Sequence, residues 1–292
     1  MTSLKVFIEN LVNTFLSILR MIFFSRFVKT SRIISPKNSE LIILGNGPSL
    51  KNFLAANKSL VSKKELLCVN HFAESDVYKA LKPKYYVLAA PEMWMDDVEE
   101  FHFRKGEKLF SAISENTEWP VTLFIPQNAR KFERWKKKIA PNANIQIVYF
   151  SSTPIEGFRF FENWAFSKWL GMPRPHNVLI PSLILSVNIG FQKIFIAGAD
   201  HSWMKEIFVS DDNIVYLTQK HFYDSKEKEA APMDKLGKGS RKMHEILIKF
   251  VHAFRGYFKI KEYAGHCSVE IFNITEHSMI DAFERIKPEE IE

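Results

Sequence analysis

The run Ala197-Gly198-Ala199-Asp200-His201 sets a carboxylate beside an imidazole directly after an apolar stretch. Such a pair can orient a general base or contribute to a metal site. His221-Phe222-Tyr223-Asp224 repeats the combination further along the chain. His201, Asp200 and His221 are therefore the catalytic candidates. Neither cluster has the H-x-x-x-H or H-E-x-x-H spacing of a metal site, so no metal ligands are assigned. A second chemistry attaches to Gly45-Asn46-Gly47-Pro48-Ser49, which follows the apolar run Leu41-Ile42-Ile43-Leu44. Strand, glycine turn and helix start form the opening of a nucleotide-binding α/β unit. Glycines let the backbone come close to a ligand, and free N–H groups at the helix start favour an anion. The pattern is neither G-x-G-x-x-G, since Leu50 takes the third glycine's place, nor a Walker A loop. Gly237-Lys238-Gly239-Ser240-Arg241-Lys242 supplies a third candidate, a phosphate or carboxylate clamp at a helix start, centred on Lys238, Ser240 and Arg241.

These residues need a scaffold. Further buried strands are predicted at 66–69, 85–89, 121–125, 145–149 and 193–198, with a final one at 269–274. Helices are expected within 54–63, over 177–189, from 240 to about 254, and over 277–285. Short apolar strands alternating with helix-length segments indicate an α/β fold with a mostly parallel sheet covered on both faces. Ligands in such sheets bind beyond the carboxyl ends of the strands. Asn46, Ser49, Asn70, His71, Glu92, Asp200, His201 and Asn273 all fall there. The three asparagines can bond a ribose, a base edge or a phosphate without repelling an anion. Residues 203–238 break the alternation and read as a lid, with Tyr216 and Tyr223 able to donate hydrogen bonds from it.

Residues 1–30 form a separate block. Leu4, Ile8, Leu11, Phe15, Ile18 and Ile22 fall at helical spacing, with Lys5, Glu9, Asn13, Ser17 and Arg20 on the other side. The uncharged stretch 10–19 is shorter than the roughly 20 residues of a spanning helix. Arg20, Arg26, Lys29 and Arg32 follow the apolar face, so this helix is expected either in a membrane interface or packed against protein. Residues 31–39 are a connector and 40–292 the main domain.

The chain has 292 residues, 46% of them hydrophobic, which suffices for one sizeable core and excludes a disordered protein. A net charge of +7 suits anionic substrates or membrane, while the absence of a nucleic-acid motif ranks nucleic acid last. Cys68 and Cys267, far apart and the only two cysteines, fit a reducing compartment.

Gly45-Asn46-Gly47-Pro48-Ser49-Leu50, Cys68-Val69-Asn70-His71-Phe72 and residues 189–200, IGFQKIFIAGAD, together resemble the bacterial lipooligosaccharide sialyltransferases. The resemblance runs in order from about residue 40 to 285. It implies a single Rossmann-like domain with a lid, which takes a CMP-activated sugar without a metal or other cofactor. On that likeness Gly45, Asn46, Gly47, Pro48, Ser49 and Asn70 form the nucleotide site, with Ser49 beside the phosphate. The family's histidine base has no counterpart in residues 235–240, so His201 or His221 would act on the acceptor hydroxyl. The implied enzyme builds a surface glycan or glycolipid (as in lipopolysaccharide biosynthesis) from the cytoplasmic face of the inner membrane. Two alternatives stand beside it. GNGPSL-like turns also resemble pterin diphosphokinase-like proteins that use ATP and magnesium, and a non-catalytic membrane-peripheral nucleotide-binding protein would carry the same turn. Donor sugar, acceptor and self-association stay open.

Overall fold

The computed structural model describes residues 3–218, 220–224, 229–233 and 239–291. Helix α1 (Ser3–Phe24) precedes the domain. Strands β1 (Glu40–Leu44), β2 (Glu65–Val69), β3 (Tyr85–Val87), β4 (Val121–Pro126), β5 (Ile145–Phe150) and β6 (Lys193–Ala197) follow. Between them lie helices α2 (Leu50–Ala56), α3 (Lys58–Lys63), α4 (Val77–Leu81), α5 (Glu100–Asn116), α6 (Arg134–Ile139), α7 (Arg159–Ser167) and α8 (Leu179–Ile189). Three short antiparallel strands then pair in the order β7 (Ile207–Val209), β8 (Val215–Leu217), β9 (Ala231–Pro232). Helix α9 (Met243–His266) and strands β10 (Glu270–Asn273) and β11 (Glu284–Arg285) complete the chain.

Eight strands form one parallel sheet in the order β11-β10-β6-β1-β2-β3-β4-β5. Leu41 through Leu44 are wholly enclosed, as a strand covered on both faces requires. Leu41, Ile43, Leu67 and Val69 point into one apolar layer, shared with α7, α8 and α9. Ile42, Leu44, Leu66 and Cys68 point into the other, shared with α2, α4, α5 and α6. The chain steps outward from β1 to β5, then returns to β6 on the opposite flank of β1. The switch between β1 and β6 opens the crevice where such sheets bind ligands.

Several expectations change. The segment 203–238 was read as irregular, yet its described part carries the β7–β9 sheet. The helix expected from 240 to 254 starts at Met243 and continues to His266. Residues 277–285 form a loop ending in β11 rather than a helix. The helix α1 is 22 residues long, and by length and composition could cross a membrane, although its charge-free core is shorter. Part of its polar side docks on the domain, as the protein-packed alternative expects. Thr14 accepts a hydrogen bond from the Phe158 N–H at 3.0 Å, and the Ser17 hydroxyl donates to the Glu156 carbonyl at 2.8 Å. Ser25 and Arg26 continue the seam onto Thr153 and Ser151. Gly157, at φ 141°, admits this approach, since a Cβ there would lie 2.1 Å from the Thr14 hydroxyl. The apolar side faces outward, with Phe15 60%, Ile22 63% and Phe27 86% exposed.

Candidate functional site

The glycine turn after β1 lies against the turn after β6. Gly45 N–H donates to the Ala197 carbonyl and Gly47 N–H to the Gly198 carbonyl, each at 2.8 Å. A Cβ on Gly45 would stand 2.4 Å from the Gly198 oxygen, and one on Gly47 would stand 1.9 Å from the Asp200 carboxylate. These glycines therefore make room for the chain's own backbone, a different use from the close ligand approach expected. Asp200 takes the place of the expected anion. Its carboxylate accepts the Ser49 hydroxyl at 2.9 Å and the Ser49 N–H at 3.3 Å, at the start of α2. Burial pushes the Asp200 carboxyl above its ordinary value, against the pull of the two Ser49 bonds.

The asparagines at the next two exits are only half used. Asn46 Nδ2 donates to the Val69 carbonyl at 3.1 Å and so ties the end of β1 to the end of β2. Asn70 sits at φ 49°, a left-handed conformation that asparagine tolerates, and its carbonyl accepts the Tyr86 hydroxyl at 2.5 Å. Among the described residues, the side-chain oxygens of both asparagines are buried without a hydrogen-bond partner, as is Trp94 Nε1. An unpartnered buried acceptor costs about 1–3 kcal/mol, and two of them lie at adjacent strand exits.

The lid closes over this pair. Phe222 N–H donates to the Asn46 carbonyl at 3.1 Å, and the Phe222 ring packs 5.3 Å from Phe72. That docking brings in its neighbours. The His221 ring lies parallel to Tyr223 at 5.1 Å, its Nδ1 3.4 Å from the Asp224 carboxylate, which also accepts the His221 N–H at 2.8 Å. Tyr223 is pushed up by burial and by Asp224 and Glu74. Tyr216 stacks on Phe208 instead.

Asp200 and His201 do not form the expected dyad. A left-handed backbone at His201, φ 54°, turns its ring away from Asp200 and into the core. It packs 4.1 Å from Trp203, and its Nε2 lies 2.5 Å from the Tyr257 hydroxyl, which receives Asn177 Nδ2 at 2.6 Å. Burial drives the imidazole down to about 3, so it is neutral and enclosed. Asn273 and His71 have structural partners. Asn273 accepts the Thr275 N–H and donates to the Ile280 carbonyl, and His71 meets Glu74 at 2.5 Å.

Of the basic clamp, Lys238 lies outside the described residues. Ser240 and Arg241 precede α9, and Arg241 N–H donates to the Met233 carbonyl at 2.6 Å. The start of α9 is closed by Glu245, which accepts the Lys242 N–H at 2.8 Å. Lys249, which the sequence did not single out, is half-buried. Desolvation and the charge of Arg241 lower its pKa, opposed by Glu92 and Glu245. Nearby, His176 and His252 stack at 5.1 Å, and burial plus His252 hold His176 down to about 4. No local spacing marks these groups, because α9 joins them to loops far away in the chain. Among the described residues no three His, Cys, Asp or Glu side chains converge as a metal site.

No family model and no curated protein matches the chain. Among solved structures it is similar to the MAf glycosyltransferase of Magnetospirillum magneticum AMB-1, at 11% identity and a TM-score of 0.49. The match covers 96% of this chain and 39% of that one, so the chain spans about two fifths of that protein's length.

Proposed function

We propose that this protein is a glycosyltransferase that takes a nucleotide-activated sugar, with a CMP-sugar as first-choice donor, for assembly of a bacterial surface glycan or glycolipid. The observation that carries the reading is the pair of unpartnered acceptors, Asn46 Oδ1 and Asn70 Oδ1, beneath the docked lid. A cytosine edge or a ribose offers the donors these oxygens lack. The three sequence motifs shared with the bacterial sialyltransferases supply the reaction class.

In the mechanism His221 is the base that takes the acceptor proton, its Nδ1 3.4 Å from the Asp224 carboxylate. The acceptor oxygen forms a bond to the anomeric carbon as the bond from that carbon to the phosphate oxygen breaks. The electron pair leaves with the nucleoside monophosphate. Arg241, Lys249 and Lys238 would stabilise that charge. His201 has no part in the chemistry. The outward apolar side of α1, with Arg20, Arg26, Lys29 and Arg32, would hold the enzyme on the inner face of the membrane.

Thermal shift against CMP, UMP, GMP and ATP, each with EDTA and with magnesium, tests the proposal. A ligand at 100 times its dissociation constant adds about 2.7 kcal/mol of stability. Stabilisation by CMP in EDTA is expected. Stabilisation by ATP with magnesium alone would replace this reading with a diphosphokinase-like one.

A further inference from the structure

On the flank of the domain, α7 packs against the last turns of α9, where the Phe166 and Tyr263 rings meet edge-on at 5.4 Å. Outside this seam a cavity of about 860 Å³ opens, lined by Arg159, Lys168, Lys261 and His266, with Phe160 and Trp164 among its walls. Glu262 is the one carboxylate in its lining. Among the described residues, none of the four basic side chains is in an ion pair, although Lys259, one turn away, pairs with Glu162 at 2.5 Å. Arg159, Lys168 and Lys261 thus line the cavity without an ion-pair partner among the described residues.

The aromatic walls face outward. Phe160 is 74% and Trp164 46% exposed, four residues apart on one side of α7. Phe160 stacks on Phe158 at 5.9 Å, and Phe158 meets Phe7 of α1 at 5.4 Å. Phe7, seven residues before Thr14 on α1, is thereby linked through Phe158 to the rim of the cavity. Exposed aromatics beside unpaired lysine and arginine suit the boundary between acyl chains and charged headgroups.

We infer that this cavity between α7 and α9 binds the phosphate of an anionic lipid headgroup while α1, Phe160 and Trp164 rest in the acyl boundary. The inference rests on the membrane reading of α1, and adds to it a defined headgroup site remote from the β1–β6 crevice.

The test is co-sedimentation of the full chain with vesicles of phosphatidylcholine alone and of phosphatidylcholine mixed with phosphatidylglycerol. Wild type is expected to prefer the anionic vesicles by at least about tenfold, since each nearby cation contributes about fivefold. The exposed pair Lys168→Glu and Lys261→Glu, made together, should cut that preference at least about fivefold, the remainder being due to Arg20, Arg26, Lys29 and Arg32, and leave binding to neutral vesicles unchanged. An undiminished preference in the double variant would overturn the site. Equal sedimentation of wild type with both vesicles would also overturn it, while leaving the membrane reading intact. Wild type that sediments with neither would sink the membrane reading and the site with it. Inorganic phosphate provides the last arm. If the vesicle-free protein binds it at submillimolar concentration and the double variant does not, the cavity serves free phosphate and the lipid assignment is wrong.

Discussion

Asn46 spends its Nδ2 and Asn70 its carbonyl on the fold, and the side-chain oxygen of each is buried without a partner among the described residues. Replacing Asn70 by glycine suits the left-handed backbone and removes the acceptor proposed for a cytosine edge or a ribose. CMP affinity measured by titration calorimetry should fall at least about tenfold, with the melting point nearly unchanged. Unaltered affinity would remove Asn70 from the site. The two candidate histidines separate in the same way. His221→Ala should lower kcat by about a hundred- to ten-thousand-fold. His201→Phe should cost about 1–3 kcal/mol of stability and leave kcat within a small factor. The reverse pattern would show that the enclosed ring is the base. His201 also predicts a pH dependence. Folded, it stays neutral down to about 3, while the unfolded chain takes up a proton near the ordinary 6.5. Its contribution is therefore complete above about pH 6.5 and drains as pH falls, by up to about 1.4 kcal/mol per pH unit, until the folded state titrates. His176 acts in the same direction. Urea unfolding at about pH 7 and about pH 5 should show a smaller difference for His201→Phe than for wild type. An equal difference would mean that the ring titrates freely.

At the scale of elements, the turn after β1 and the turn after β6 form one joint. Gly47→Ala would press a methyl group onto Asp200 and the Gly198 carbonyl. A loss of about 2–4 kcal/mol is expected in denaturant unfolding, with nucleotide binding weakened because Asn46 moves with the turn. Wild-type stability would show that the two turns separate readily. The strands themselves were legible in the sequence, since continuous apolar runs such as Leu41 to Leu44 mark burial on both faces. The strand-exit asparagines were legible for the same reason, once the strand ends were located. The lid sheet was not, because two- and three-residue strands such as β9 are too short to carry a period. The extension of α9 to His266 was missed because its later turns place Lys259, Lys261 and Glu262 among Tyr257, Ile260 and Tyr263, which blurs an apolar stripe.

For the whole molecule, the orientation of α1 matters most. Its serine and threonine side is spent on the domain, and its apolar side faces outward. Removing residues 1–29 should abolish sedimentation with anionic vesicles. It should also lower stability by about 0.5–1.5 kcal/mol for each hydrogen bond lost at Thr14, Ser17 and Ser25. Retained sedimentation would assign membrane binding to another surface. Stability unchanged by the deletion would show that the docked seam contributes nothing.

By itself the sequence determined the parallel α/β architecture, the glycine turn and the asparagines beside it. Each follows from local composition, which reports burial and backbone freedom over a few residues. Only the tertiary structure decided which polar groups are paired. Ser49 meets Asp200 across 151 positions in sequence, and Ser17 meets Glu156 across 139. Those pairings depend on which strand returns beside β1 and which loop receives α1, and no local period encodes either. The same long-range packing leaves Asn46 and Asn70 with unspent oxygens and turns His201 into the core.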